Sequence, residues 1–257
     1  MNSAHATHPG LVRKNNEDYI KTDDSLGIYL LADGIGGNNA GEVASHLAVE
    51  TVYKILRSNI AHTAVDGYFE LMFHAMNAAH WEIFTKAQSS PTLNRMGTTL
   101  VAAVLRENVA YIVNAGDSRC YLFKNRLNLQ TDFLLGQEEK KFKRLTHDHT
   151  VGDRLLASGI SIGEIPKKQF HTLTQSVGCG DPPYPDFSIS DIKQGDLLLI
   201  CSDGLTDMLS DAEIEAILSN TEANLDSLVQ HLIDAANGKG GRDNISVILV
   251  TPIPDQG

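Results

Sequence analysis

The chain of 257 residues has no run of about twenty consecutive apolar residues, which argues against a membrane-spanning helix. Its start, MNSAHATHPG, lacks the basic and apolar regions of a secretory signal, so the expected location is cytoplasmic. Cysteine is scarce. Cys120, Cys179 and Cys201 form no close-spaced pair, which excludes a disulfide framework or a zinc knuckle and suits a reducing compartment. Basic residues are also few, 21 against 32 acidic ones, for a net charge of -11. Such a surface repels nucleic-acid backbones and anionic membranes, and a cation is the more natural ligand. There is no internal repeat, low-complexity tract or Pro/Ser-rich linker. With 42% hydrophobic residues to fill a core, the expectation is a single domain over 1–257, acting as a monomer.

The residues that are present fall into grouped elements. A strand is expected at 27–32 (GIYLLA), then two amphipathic helices, Ala40–Asn59 and 66–88; Val43, Leu47, Val52, Ile55 and Leu56 recur on one face of the first. Three strand-like runs follow at 98–105, Val109–Ala115 and 118–124, with Glu107-Asn108 and Gly116-Asp117 between them, which suits an antiparallel meander. Leu197–Cys201, helices at 211–219 and 225–236, and a last strand at 244–251 complete the set. Strands grouped apart from helices predict an α+β layered domain. Between about 153 and 191, with Pro166, Pro182, Pro183 and Pro185, the chain reads as a long irregular loop.

Acids sit where these strands end. Asp33 closes LLAD before Gly34, Asp117 closes VNAGD, Asp203 follows LLLICS before Gly204, and Asp243 directly precedes NISVILV. A carboxylate at the edge of an apolar core loses hydration that only a cation or several donors can replace. Oxygen donors without His or Cys at comparable positions favour Mg²⁺ or Mn²⁺ over zinc. Any single Asp-Gly after a strand is also the commonest kind of turn; it is the coincidence of four, with Asn16-Glu17-Asp18 near the start, that points to a site. The glycine-rich DGIGGNNAGE fails as a nucleotide loop. The sixth position from Gly34 is Asn39, and Gly41 is followed by Glu42 rather than Lys.

The ordered motifs HPGLVRKNNED, LLADGIGGNNAGEVAS, GTTL, NAGDSRCYLF, RLTHDH, LLLICSDGLTDMLSD and GGRDNISVILV run from His8 to Val250. Together they resemble the metal-dependent serine/threonine protein phosphatases of the PPM class, type 2C, in their compact bacterial form. The resemblance implies two packed antiparallel β-sheets flanked by helices, an α-β-β-α sandwich with a metal cluster in a cleft at one end. It implies that Asp33 bridges two Mn²⁺ or Mg²⁺ ions, with the Gly34 carbonyl on one and Asp203 and Asp243 on the other. Asp117 would share a weaker third ion with Asp203, Glu17 and Asp18 would hold metal-bound waters, and Arg13 would bind phosphate. The implied activity is hydrolysis of phosphoserine and phosphothreonine in proteins, reversing a Ser/Thr kinase.

Two departures from that pattern stand out. The histidines that relatives carry after the first Asp-Gly or after the paired glycines are Ile35 and Asn38 here. His147 and His149 precede a helix that Asp148 or Thr150 would cap, and are read as structural. A segment at 125–143 reads as an insertion. Lys167 and Lys168 either meet acidic substrate or are simply solvated. Alternatives to the phosphatase are a catalytically silent phosphoprotein-binding module and a purely structural metal-stabilised domain; a silent relative should have lost at least one of the acids.

Overall fold

A computed structural model describes residues 1–36, 40–124 and 141–252. Its elements are β1 (Asn2–His8), β2 (Asp18–Asp23), β3 (Ile28–Ile35), α1 (Ala40–Asn59), α2 (Tyr68–Ala87), β4 (Gly97–Thr98), β5 (Leu100–Arg106), β6 (Val109–Ala115), β7 (Arg119–Phe123), β8 (Phe142–Arg144), α3 (Val151–Ala157), β9 (Asp186–Asp191), β10 (Leu197–Cys201), α4 (Asp203–Thr206), α5 (Asp211–Leu218), α6 (Leu225–Gly238) and β11 (Ile245–Thr251), with short 3₁₀ turns between some of them.

Strands with no polar face must be covered twice. Along β3, Ile28, Leu30 and Ala32 pack with α1 and α2, whereas Tyr29 and Leu31 face a second layer of side chains. Along β10, Leu197, Leu199 and Cys201 pack against α5 and α6, and Leu198 and Ile200 meet Tyr29 and Leu31 in that same inner layer. Three stacked apolar layers result, and the order is helices, sheet, sheet, helices. One sheet runs β1-β11-β10-β7-β8, the other β2-β3-β5-β6-β9 with β4 on the end of β3. Every pairing is antiparallel. This is the expected sandwich. The chain's first strand lies against its last, Asn2 opposite Thr251, so both ends close the same sheet. Cys120 and Cys201 sit on paired strands but face different layers, and all three thiols are free. Among the described residues no helix is long and apolar enough to cross a membrane.

Three expectations need correction. The run at 98–105 is not one strand: β4 pairs with the end of β3 and β5 with its first half, and Thr99 breaks the ladder because its polar groups are taken by Asp33. The irregular stretch from 153 to 191 contains most of α3 at its start and β9 at its end, where Asp186–Asp191 pairs with β6 as an edge strand. Thr150 caps α3, its hydroxyl accepting from Asp153 N at 3.0 Å. The expected insertion at 125–143 overruns β8, where Phe142 and Lys143 pair with Phe123 and Leu122; residues 125–140 lie outside the described residues, as does Asn38.

Candidate metal centre

The strand register puts like charges opposite each other. Asp18, the first residue of β2, pairs directly with Asp33 near the end of β3, an arrangement that is destabilising between bare carboxylates. Yet the backbone fixes Asp33 firmly: its carbonyl accepts from Thr99 N at 2.8 Å and Thr98 Oγ1 at 2.7 Å, and its N–H donates to Thr99 Oγ1 at 3.0 Å. Gly34 must be glycine, because a Cβ there would lie 2.2 Å from the Gly41 carbonyl oxygen and 2.7 Å from that of Glu17. The Gly34 N–H donates to the Glu17 carbonyl at 3.1 Å, which ties the N-terminal loop to the end of β3.

Asp203 opens α4, two residues past the end of β10, and Asp243 stands two residues before β11. Adjacent to it, buried Asn244 clamps the N-terminal loop. Its amide donates to the carbonyls of Pro9 at 3.1 Å and Asn15 at 2.9 Å, and its Oδ1 accepts from Glu17 N at 2.8 Å. That clamp sets Arg13, Glu17 and Asp18 against the strand ends. Arg13 Nη2 reaches Asp243 Oδ2 at 2.6 Å, with the guanidinium about half exposed. Asp117 lies in the turn between β6 and β7. The preceding Gly116 is held by His149, whose backbone N–H donates to Gly116 O at 3.0 Å and whose Nδ1 accepts from Gly116 N at 3.2 Å.

The electrostatics report the crowding. Burial first, then the charge of Asp18, Asp203, Asp117 and Asp243, holds the Asp33 carboxyl well above the usual range. Asp203 is raised in the same way, by burial and then by Asp117, Asp207, Asp243 and Asp18. Asp18 is pushed up to about 6 by burial and Asp243, against the hydrogen bonds from Ser246 and Ser202. Asp117 goes to about 6 through burial and Asp148, and burial raises half-buried Glu17. The five aspartates expected from the sequence therefore share one neighbourhood, with Arg13 and Glu17 at its margin.

The donor set fits divalent cations. Oδ1 of Asp18 and Oδ1 of Asp203 are buried without a hydrogen-bond partner among the described residues, and such orphaned oxygens are costly unless something positive is bound. Arg13 is the cation that pairs with one of the expected ligands among those residues, too little to offset the cluster. Carboxylates and a backbone carbonyl are ligands for Mg²⁺ or Mn²⁺.

Several expected roles turn out differently or were missed. Asp148 does not cap α3; it takes Arg119 through Nε and Nη2, the latter at 2.6 Å, and also Arg144. His147 is exposed with Nδ1 3.1 Å from Asp186, and His149, whose Nδ1 accepts from Gly116 N, stands 3.4 Å from Asp186 through Nε2. Lys167 and Lys168 lie exposed in a 3₁₀ turn. Asn244, Thr98 and Thr99 gave no signal of their own. Asp207 did: it follows Asp203 by four residues, one helical turn on the same face, and its carboxyl is raised chiefly by burial.

An α-β-β-α sandwich with a cluster of buried acids at one end of its sheets is the architecture of the metal-dependent phosphatases. The chain belongs to the protein phosphatase 2C family, whose model matches residues 11–249. It is 33% identical over 259 residues to the serine/threonine phosphatase stp of Listeria innocua, covering 97% of this chain and 95% of that protein. Among solved structures, the serine/threonine phosphatase of S. agalactiae superposes with a TM-score of 0.83 at 31% identity, over 98% of this chain and 99% of that one. The catalytic domain of the serine threonine protein phosphatase PstP in complex with 2 manganese ions gives 0.79 at 29% identity, over 96% of each chain.

Proposed function

We propose that this protein hydrolyses phosphoserine and phosphothreonine in phosphorylated proteins at a centre of two Mn²⁺ or Mg²⁺ ions. The observation that carries the reading is the convergence of Asp18, Asp33 and Asp203 in a buried space with unpartnered oxygens and too little positive charge. Asp33, the Gly34 carbonyl, Asp203 and Asp243 would hold the pair, and Asp117 with Asp203 would hold a weaker third ion. When bound, such ions acidify a water and offset charge on the transferring phosphoryl group.

The chain's own residues do the rest. A guanidinium carries five donors in a planar fork, so Arg13 can keep Asp243 and still grip two phosphoryl oxygens. Asp18, fixed by Ser202 Oγ at 2.8 Å, and Glu17, fixed through its N–H by Asn244, are acceptors that orient the attacking water. No side chain is needed as a covalent nucleophile. Loss of a phosphatase's chemistry would leave a silent phosphoprotein-binding module, but here every acid of the set is in place, which favours the enzyme. We further assign one catalytic domain over 1–257, a monomeric state, a cytoplasmic location with reduced thiols, and opposition to a Ser/Thr kinase.

The test is release of inorganic phosphate from phosphothreonine and phosphoserine peptides. Turnover is expected with millimolar Mn²⁺ or Mg²⁺ and none in excess chelator. Peptide binding without hydrolysis under both conditions would instead identify a silent module.

A further inference from the structure

A histidine sits where the helical layer packs on apolar groups. From Met72 to Ala87 the buried positions of α2 are Met, Ala or Ile except His80, whose side chain is fully buried. Burial pushes the imidazole's pKa down, against the charge of Asp181, so the ring is neutral at pH 7. Its Nδ1 accepts from Gly178 N at 3.0 Å, which places the ring proton on Nε2. That second nitrogen is buried with no hydrogen-bond partner among the described residues. A buried donor left unpaired is costly, and an apolar residue would fill the same place without that cost. What the imidazole supplies in return is its grip on Gly178.

Gly178 leads to the acids. Its backbone lies directly on α2 at φ +90°, where a Cβ would collide with Ile83. The preceding residue, buried Val177, pairs with Thr98 of β4 in both directions: Thr98 N donates to Val177 O at 2.9 Å, and Val177 N to Thr98 O at 2.8 Å. Thr98 in turn donates through Oγ1 to the Asp33 carbonyl at 2.7 Å and stands opposite Gly34 in the strand pair. β4 is only the two residues Gly97–Thr98, so its place is set by its neighbours, β3 on one side and Val177 on the other.

We infer that His80 is a positioning residue for the metal centre: it fixes Gly178, and through Val177 and Thr98 it holds the backbone from which Asp33 and Gly34 present their oxygens. This rests on reading Asp33 and Gly34 as ligands of the divalent ions. The imidazole never touches those ions. It acts from the far side of β4, on the direction in which the ligands point, as partners behind a metal's ligands do in general.

His80→Leu and His80→Met remove the acceptor and suit the apolar surroundings, whereas His80→Asn keeps an acceptor, its Oδ1 taking the place of Nδ1. Mn²⁺ titration calorimetry and steady-state hydrolysis of a phosphothreonine peptide at saturating Mn²⁺ are set against the thermal stability of the metal-free proteins. The apolar variants should be as stable as the parent or more so without metal, yet bind the tighter Mn²⁺ equivalents about 10-fold more weakly and lose kcat with KM unchanged. His80→Asn should recover most of both. Thr98→Val cuts the same line at Asp33 and should cost a similar factor, and the double variant with His80→Leu about as much as one change alone, instead of about 100-fold. A purely structural His80 predicts the reverse, lower stability with Mn²⁺ affinity and kcat unchanged. That result, an additive double variant, no recovery in His80→Asn, or failure of both apolar variants to fold overturns the assignment and leaves the two-ion centre standing. No Mn²⁺ binding by the parent at all overturns both.

Discussion

Replacing Asp18 with asparagine should stabilise the metal-free protein while disabling it. In the folded chain the Asp18 carboxyl is pushed from 3.8 up to about 6, mainly by burial. A carboxyl raised on folding contributes stability that is complete below the unfolded value and is lost as pH rises through the folded value. A shift of about two units corresponds to about 3 kcal/mol missing above pH 7. The side chain is 7% exposed, so solvent does little to screen that cost. Asparagine has the same shape, can still accept from Ser202 Oγ, and carries no charge to desolvate. In excess chelator at pH 7.5, Asp18→Asn should therefore unfold up to about 3 kcal/mol later than the parent, roughly 5–10 °C in Tm for a chain of this size. Near pH 4 the difference should vanish, since the parent carboxyl is then protonated. Thermal denaturation of both proteins at the two pH values, with calorimetry as a check, measures this. An Asn variant equal to or less stable than the parent at pH 7.5, or a gain that is the same at pH 4, would refute the reasoning.

Three further outcomes follow from the same site. Arg13→Ala should lower kcat/KM on a phosphothreonine peptide by about 30- to 1000-fold, the value of a charge-assisted bidentate contact, with Mn²⁺ affinity little changed; Arg13→Lys should recover part, and unchanged steady-state kinetics would remove Arg13 from the site. Asp117→Ala should leave the tighter Mn²⁺ equivalents intact in titration calorimetry while turnover falls, whereas loss of all binding would place Asp117 in the core pair. Asn244→Ala strips hydrogen bonds from Pro9 O, Asn15 O and Glu17 N, so it should cost about 1–3 kcal/mol of stability in chemical denaturation and lower kcat by loosening the loop that carries Arg13 and Glu17; a variant as active and stable as the parent would show that the clamp is dispensable.

The parts of the fold written in local pattern were legible. LLLIC reads as a strand buried on both faces because Leu198 and Ile200 enter one layer and Leu197, Leu199 and Cys201 the other, and the acid that follows it stands out against that run. The edge strands were not. β1 carries one buried residue, Ala4, among polar neighbours, and β9 is half-exposed throughout, so neither shows the apolar period that sequence reading depends on. The break at Thr99 was hidden because TTLVAAVL is continuous in composition and is interrupted only by what Asp33 demands of Thr99. The acids were found one by one from their positions at strand ends, but their roles came from family resemblance. Partners contributed from far along the chain escaped both routes: Asn244 acts on residues more than 220 positions away, and His171 reaches Asp207 only because its segment folds back over α4.

The most direct measurement is a Mn²⁺ titration of the metal-free parent and of Asp33→Asn, with ion binding and phosphothreonine-peptide hydrolysis followed in the same samples. The account predicts that parent turnover rises from nothing as the tight ions bind, and that Asp33→Asn stays folded, binds them far more weakly and turns over several orders of magnitude more slowly. Full hydrolysis by the parent in excess chelator, or parent-like activity in Asp33→Asn, would contradict it.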